Sequence, residues 1–264
     1  MMLSVQTNYA SLVGQNALTQ ANNEMTTAME RLSTGYRING ASDDAAGLQI
    51  ASRLEADSTA LQQGTRNVND AIAMLETADG ALSEVESIAM RMTELSTQYG
   101  SATVSADDQD AITAEFDGLK DELISITTET EFAGEDLFGK FDAAVTVDAG
   151  VGKTVTVDAT AEIAALDTAI AALDVTDIAT VDTTIDALGD TRSVLGSGIN
   201  RLQHTANNNA NIDENTQQAL SNIKDADYAT ESSNMTKNEM LVQAGTNVLA
   251  KSNQNTSLVM SLLG

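Results

Sequence analysis

The side chains able to do chemistry in this sequence are few, and most of them are carboxylates. Asp43 and Asp44 lie in RINGASDDAAGLQIA (37–51), between Gly40 and Gly47, and Asp225, Asp227 and Glu231 lie in KDADYATE (224–231). Acids at this density hold calcium when they alternate around a central Gly and end on a closing Glu, and neither segment has that spacing. The Gly40–Gly47 stretch is no phosphate cradle either. It follows a helical pattern rather than a strand, and it carries no Lys-Ser/Thr pair for a phosphate and its magnesium. The single histidine, His204, stands in a polar helical context and reads as a surface residue, and the chain has no cysteine. Neither a His/Cys zinc cluster nor a nucleophilic triad can be assembled from this inventory. Two Asn-x-Ser/Thr triplets, at Asn234 and Asn255, fall inside helical patterns and read as chance. No catalytic, cofactor-binding or metal-ligating residue is expected, and the chain is not expected to be an enzyme.

Composition narrows the partners. Among 264 residues there are 13 basic and 39 acidic side chains, a formal net charge of −26. Nucleic acid binding draws most of its affinity from Lys and Arg on phosphates, so this sign argues against it. It argues equally against an anionic membrane surface. The plainer role of the acidity is solubility and self-repulsion. With four Phe, four Tyr and no Trp, a core built on aromatic anchors is not expected. No stretch approaches the roughly 20 apolar residues of a membrane span, so no membrane insertion is expected. The start, MMLSVQTNYASL, has no basic region followed by an apolar run, so no secretory signal peptide is expected and export would need another route.

The elements behind these residues are mostly helical. Leu18, Ala21, Met25, Ala28 and Leu32 form one stripe and predict a helix over about 3–33. From Leu61 to Leu95 apolar or small residues recur every three or four positions, which predicts a helix over about 43–98, roughly 80 Å of it at 1.5 Å per residue. Tyr99-Gly100 ends it, and Ser105-Ala106-Asp107-Asp108 reads as the cap of another helix carried by Ile112, Phe116, Leu119, Leu123 and Ile126. The period then changes to two: AAVTVD (143–148) and KTVTVD (153–158), separated by AGVG, predict a β-hairpin. Helical spacing returns over 160–174, again from Thr176-Asp177 to Ile223, and after the 224–231 segment through Leu241 and Val248 to the C-terminus. The expected fold is mainly α: a long helical coiled-coil rod whose N- and C-terminal helices pair, with a small β-hairpin region at the far tip. The terminal seams, Leu18, Met25 and Leu32 in front and Leu241, Val248, Leu258 and Leu262 behind, are narrow. Helices gain most of their stability from packing, so such seams look for neighbours.

RLSTGYRINGASDDAAGLQIASRL (31–54), KDADYATESSNMTKNEMLVQAGTNVLAKSNQ (224–254) and the ending SLVMSLLG closely resemble bacterial flagellin. TETEFAGEDLF (128–138) and TRSVLGSGINRL (191–202) match further family segments more loosely. The resemblance implies a structural subunit that polymerises into the flagellar filament for swimming, outside the cell, with no cofactor. It implies an inner core domain from 1–42 and 224–264. An outer core domain would comprise the helices of 43–140, the hairpin and short helix of 141–176 at its tip, and the helix of 177–223. Larger members insert further domains in the middle, where this chain has only about 50 residues. The partners implied are other copies of the chain, alone or mixed with other flagellins, a type III export chaperone, a filament cap and hook-junction proteins.

In the same resemblance 37–51 and 224–231 form the joint between the two core domains, through Arg37, Asn39, Gly40, Asp43, Asp44, Gly47, Asp225 and Asp227. Gly35 and Gly40 would supply backbone freedom, and the Ser42/Asp43/Asp44 group would cap the restarting helix. SIAMRMTELSTQ (87–98) matches the family's contact segment for the vertebrate Toll-like receptor, with Arg91, Glu94, Leu95 and Gln98 retained, Thr93 in place of a basic residue and Glu115 as a neighbouring contact. The plainer reading of that face is packing against a neighbouring subunit. Threonines of the tip, from Thr154 and Thr156 to Thr183 and Thr184, are candidates for O-glycosylation. The chain departs from the family pattern at Thr256, where Pro is common, and at Tyr36, where Leu is usual. The hook–filament junction protein, which shares the terminal helices, is the alternative. A soluble helical signalling or binding module is a third reading.

Overall fold

The computed structural model describes residues 8–263, with side chains described for 8–254. The described residues include six α-helices, two small antiparallel hairpins and a short 3-10 turn (Gly139–Asp142), so the fold is mainly α as expected. The helices are α1 (Tyr9–Thr34), α2 (Ala45–Tyr99), α3 (Ala106–Glu129), α4 (Thr160–Ala171), α5 (Ile178–Lys224) and α6 (Tyr228–Leu263). Strands β1 (Glu131–Phe132) and β2 (Glu135–Asp136) form one hairpin, and β3 (Val145–Asp148) and β4 (Thr154–Val157) the other. The chain divides into two compact units: residues 1–56 with 216–264, and residues 57–215.

Local chemistry sets most helix ends. Asn8 accepts from the Ser11 N–H at the start of α1, and Gly35 closes it in the left-handed region at φ 77°. Ser105 and Asp108 form a reciprocal capping box on α3, at the position the sequence indicated. Asp177 accepts from the Ala179 N–H as α5 begins. Thr256 falls inside α6, which continues unbroken to Leu263.

The 57–215 unit has a true core. Leu75, Leu82, Met92 and Leu95 of α2 meet Phe116 and Leu123 of α3, Leu166 of α4 and Leu188 and Leu195 of α5, all essentially inaccessible. Phe116, Phe138 and Phe141 are buried in it and Phe132 packs against it, which corrects the expectation of a core without aromatic anchors. The count of phenylalanines was low, but all four cluster between 116 and 141, where four elements converge.

The β3–β4 hairpin forms where the alternation placed it, yet its turn is not remote. Asn67 Nδ2 donates to the Asp148 carbonyl (3.1 Å), and the buried Asn209 Nδ2 donates to the Ala149 carbonyl (2.8 Å). A Cβ at Gly64 would stand 2.1 Å from the Ala149 oxygen, so only glycine lets the turn lie this close to α2. The turn therefore packs beside residues 60–67, at the opposite end of α2 from Ser96, whose hydroxyl donates to the Val175 carbonyl. That placement corrects the hairpin at the far tip. Thr184, fully buried with its hydroxyl donated to the Thr180 carbonyl, also drops out of the glycosylation candidates. The β1–β2 hairpin was not foreseen. Its tight turn places Ala133 and Gly134 at positive φ, and Ala-Gly is a weaker turn signal than Asn-Gly.

Candidate assembly face and joint

In the unit formed by the two chain ends, α1 and α6 run antiparallel and interlock small against large. Leu249 reaches the backbone of Gly14, where a Cβ would lie 2.9 Å from Leu249 Cδ2, and Leu18 sits over Gly245. Asn8 bonds to Ser252, Ser11 to Asn253, and the Arg31 guanidinium to Glu231 at 3.0 Å. Leu18, Met25 and Leu32 are half-buried along this contact. Across from them lie Glu231, Met235, Asn238, Val242, Gly245, Leu249 and Ser252, an unbroken alternation of four- and three-residue steps.

The expected rear seam is therefore displaced by one residue. Leu241 is 49% and Val248 64% exposed, next to the pairing stripe rather than in it. Tyr9, Leu12, Val13, Met29 and Met240 are exposed apolar residues of the same unit. The side chains of Leu258 and Leu262 lie outside the described residues. What sequence reasoning missed is the Val242–Gly245–Leu249 stripe, and its signal was the glycine pair, Gly14 and Gly245, at leucine-facing positions.

The joint is a two-strand crossing. Tyr36 and Asp225 form an antiparallel bridge, the Arg37 N–H donates to the Lys224 carbonyl (2.7 Å), and the Ala226 N–H donates to the Gly35 carbonyl (2.9 Å). The Arg37 guanidinium donates to the Ile223 carbonyl (2.8 Å), and the Tyr228 hydroxyl to that of Leu32 (3.0 Å). Asn39 donates through its side chain to the Tyr36 carbonyl. Ile38 is buried beneath. The departure at Tyr36 has a partner: the Lys224 ammonium lies 4.5 Å from the ring centroid, a cation–π contact, and 3.7 Å from Glu55.

The acids of the joint divide by task. Asp44 is the cap of α2, its Oδ1 taking the Gly47 N–H at 2.8 Å, and Asp227 is the cap of α6, taking the Ala229 N–H at 2.9 Å. Hydrogen bonds from the Thr230 side chain first, then from the Ala229 and Thr230 backbones, hold the Asp227 carboxyl below the ordinary range. Asp43 does not cap. Its Oδ2 accepts from the Asn39 and Gly40 N–H groups and folds the loop back on itself. Asp225 accepts from the Ser221 hydroxyl. Gly40 needs no positive φ. The left-handed residue is Gly35, and Gly47 is crowded: a Cβ there would meet the side-chain ends Asp44 Oδ2 at 2.5 Å and Ile38 Cδ1 at 2.8 Å, so the cap would have to shift.

On the 57–215 unit, Arg91 donates to Glu94 and Glu115, each at 2.8 Å, and these bonds, Glu115's first, raise its pKa. Gln98 is exposed beside them. Leu95 is 1% exposed and belongs to the core, so it cannot be a surface contact. His204 is exposed and isolated from any cluster. No group of three or more His, Cys, Asp or Glu suited to a metal occurs among the described residues, and no described helix is long and apolar enough to cross a membrane.

Comparison with known proteins agrees with the motifs. Residues 5–143 match the family model of the bacterial flagellin N-terminal helical region, and residues 178–263 that of the C-terminal helical region. A flagellin of Halalkalibacterium halodurans is 40% identical over 89% of this chain and 90% of its own length. One from Listeria monocytogenes is 32% identical over 99% of each chain. The crystal structure of Bacillus cereus flagellin shares 30% identity, covering 55% of this chain and 88% of that one with a TM-score of 0.44. With two family models covering both halves and a relative of this identity along nearly its whole length, the chain belongs to the bacterial flagellin family.

Proposed function

We propose that this chain is a structural subunit of the bacterial flagellar filament, holding to its neighbours through the flank of the α1–α6 pair and performing no catalysis. The observation that carries this reading, beside family membership, is the row of unburied apolar side chains on that pair. Leu241 and Val248 are seven residues apart, hence on one face, and their exposure in a single copy leaves them free for a second. Burying a half-exposed Leu or Val contributes about 1 kcal/mol, and a helical polymer repeats that contribution in every copy. Nothing favours the hook–filament junction alternative.

The same reading assigns 1–42 and 224–264 to the filament's inner core and 43–223 to its outer core, with the Tyr36–Asp225 crossing as the joint. It places the polymer outside the cell and gives the chain an export chaperone, a cap and hook-junction proteins as partners. Recognition by the Toll-like receptor rests on Arg91, Glu94, Gln98 and Glu115, without Leu95.

Leu241→Asn with Val248→Asn tests the assembly face. The doubly substituted subunit keeps the helical content of the parent and forms no filaments by electron microscopy at any salt concentration. Filaments of normal length from it would remove the face from the interface.

A further inference from the structure

Asn39-Gly40 is the only Asn-Gly pair in the chain. Among the described residues every other Asn except Asn8 lies inside a helix, where the main-chain nitrogen that follows is tied into the helical ladder. Gly40 has no Cβ to shield its nitrogen, and packing does not demand glycine there. Its φ is not positive, and an added Cβ would stand 3.6 Å from Ser42 Oγ, an ordinary contact. Asn39 and Gly40 are half-buried and residues 41–44 exposed, so water reaches the loop. The pair is held by hydrogen bonds alone. Asn39 Nδ2 donates to the Tyr36 carbonyl (3.1 Å), and the Asn39 and Gly40 N–H groups donate to Asp43 Oδ2 (3.0 and 3.1 Å). The Asp43 N–H closes the turn on the Gly40 carbonyl (3.1 Å).

We propose that Asn39 is a site of spontaneous deamidation, and that Asp43, which caps no helix, is the residue that holds the reaction off. The Gly40 nitrogen attacks Asn39 Cγ. A nitrogen–Cγ bond forms, the Cγ–Nδ2 bond breaks, and Nδ2 leaves as ammonia carrying the Gly40 amide proton. Water then opens the five-membered imide at either carbonyl. Opening at Cγ gives aspartate, and opening at the main-chain carbonyl gives isoaspartate, with the main chain one carbon longer. Water is the only co-reactant, and the proposal stands apart from the filament reading. Attack requires the Gly40 nitrogen to lose its proton and to meet Cγ at close range. The Asp43 carboxylate opposes the first, because its charge disfavours an amide anion developing beside it. The bond to Tyr36 opposes the second by fixing the carboxamide on another acceptor. Conversion removes that donor and sets a new carboxylate close to Asp43, so the loop loses its fold-back.

The test is incubation of purified full-length chain at mildly alkaline pH, followed by mass spectrometry of the tryptic peptide 38–53 for the gain of an acid over an amide and for isoaspartate. Unfolded in guanidinium, the parent converts at Asn39 about ten-fold or more faster than when folded. Folded Asp43→Ala converts about ten-fold faster than folded parent, the two are equal in guanidinium, and Asp43→Asn, which keeps an acceptor, lies between. Asn39→Gln abolishes the signal. No conversion at Asn39 in the unfolded parent would overturn the site. Equal rates in folded parent and folded Asp43→Ala would overturn the role of Asp43. So would a matching rise in hydrogen exchange of the Arg37 and Ala226 N–H groups in Asp43→Ala, since the whole crossing would then have loosened.

Discussion

Two glycine-to-alanine substitutions in α2 should have opposite effects. At Gly64 an added methyl would lie 2.1 Å from the Ala149 oxygen, 2.2 Å from its carbonyl carbon and 2.5 Å from the Gly150 nitrogen. All three are backbone atoms, so no rotamer change relieves the clash, and the hairpin turn must withdraw by about 1 Å to restore ordinary contact. Withdrawal stretches the bonds from Asn209 Nδ2 (2.8 Å) and Asn67 Nδ2 (3.1 Å) beyond useful length. Each is worth about 1 kcal/mol, and stranding the buried Asn209 amide adds about 1–3 kcal/mol. Against this stands the helix-propensity gain of alanine, about 1 kcal/mol. The clash wins, and Gly64→Ala destabilises the 57–215 unit by about 2–4 kcal/mol. Gly80 lies in the same helix with nothing within 4 Å of its added methyl, so Gly80→Ala keeps only the propensity gain and stabilises by up to about 1 kcal/mol. Thermal unfolding of monomer followed by circular dichroism separates them, at about 2–4 °C per kcal/mol for a unit of this size. A Gly64→Ala protein melting at or above the Gly80→Ala protein would refute the packing of the turn on α2.

Gly35→Val places a β-branched residue at φ 77°, costing about 1–3 kcal/mol per subunit, and should shorten or abolish filaments; Asp43→Asn with Asp44→Asn should leave them intact, since Asn caps as well as Asp at 44 and an amide oxygen at 43 can still accept the Asn39 and Gly40 N–H groups. Motility and filament length in a flagellin-null strain decide between geometry and charge at the joint. Arg31→Met strands Glu231, whose side chain is 10% exposed, and should loosen the α1–α6 pair by about 2 kcal/mol, seen as faster hydrogen exchange in α6 with that of α3 unchanged. Partial burial, then Asp142 and Asp136 across a cavity of about 380 Å³, raises the pKa of Asp167. Its ionised form therefore destabilises the fold above that raised pKa, and the penalty disappears once it is protonated. Asp167→Asn should raise Tm at pH 7, with the gain shrinking as pH falls through the raised value; a gain that persists in acid would rule the charge out as its cause.

The helices were legible because each carries a three-four stripe, and the joint because small, acidic residues interrupt two such stripes. The flank of α6 that pairs with α1 was not legible. Leu241/Val248 and Val242/Leu249 have the same seven-residue spacing one position apart, and only the hollows at Gly14 and Gly245 select the second. Leu95 shows the reverse case. Its place in the apolar stripe of α2 already marked it as a core residue, and the stripe was the better guide than the motif around it. Asp43 and Asp44 look interchangeable in the sequence, but only Asp44 stands where its carboxylate reaches the first turn of α2.

Asn8 and Ser252 are hydrogen-bonded across 244 residues, and Ser58 and Asp213 across 155. Both units therefore draw one side from the front of the chain and the other from the back. A chain delivered in single file, whichever end leads, can complete neither unit until most of its length has arrived. Until then α1 and α6 lack each other and α2 lacks α5, and helices of this kind gain little stability alone. Once 58 and 213 meet, the loop left to close between the terminal helices shortens to roughly a third, which lowers its entropic cost by about 1 kcal/mol. Folding is thereby ordered: the middle of the chain first, the two ends last. This connectivity keeps either unit from being completed early, because the arrival of the last segment is what permits it to fold.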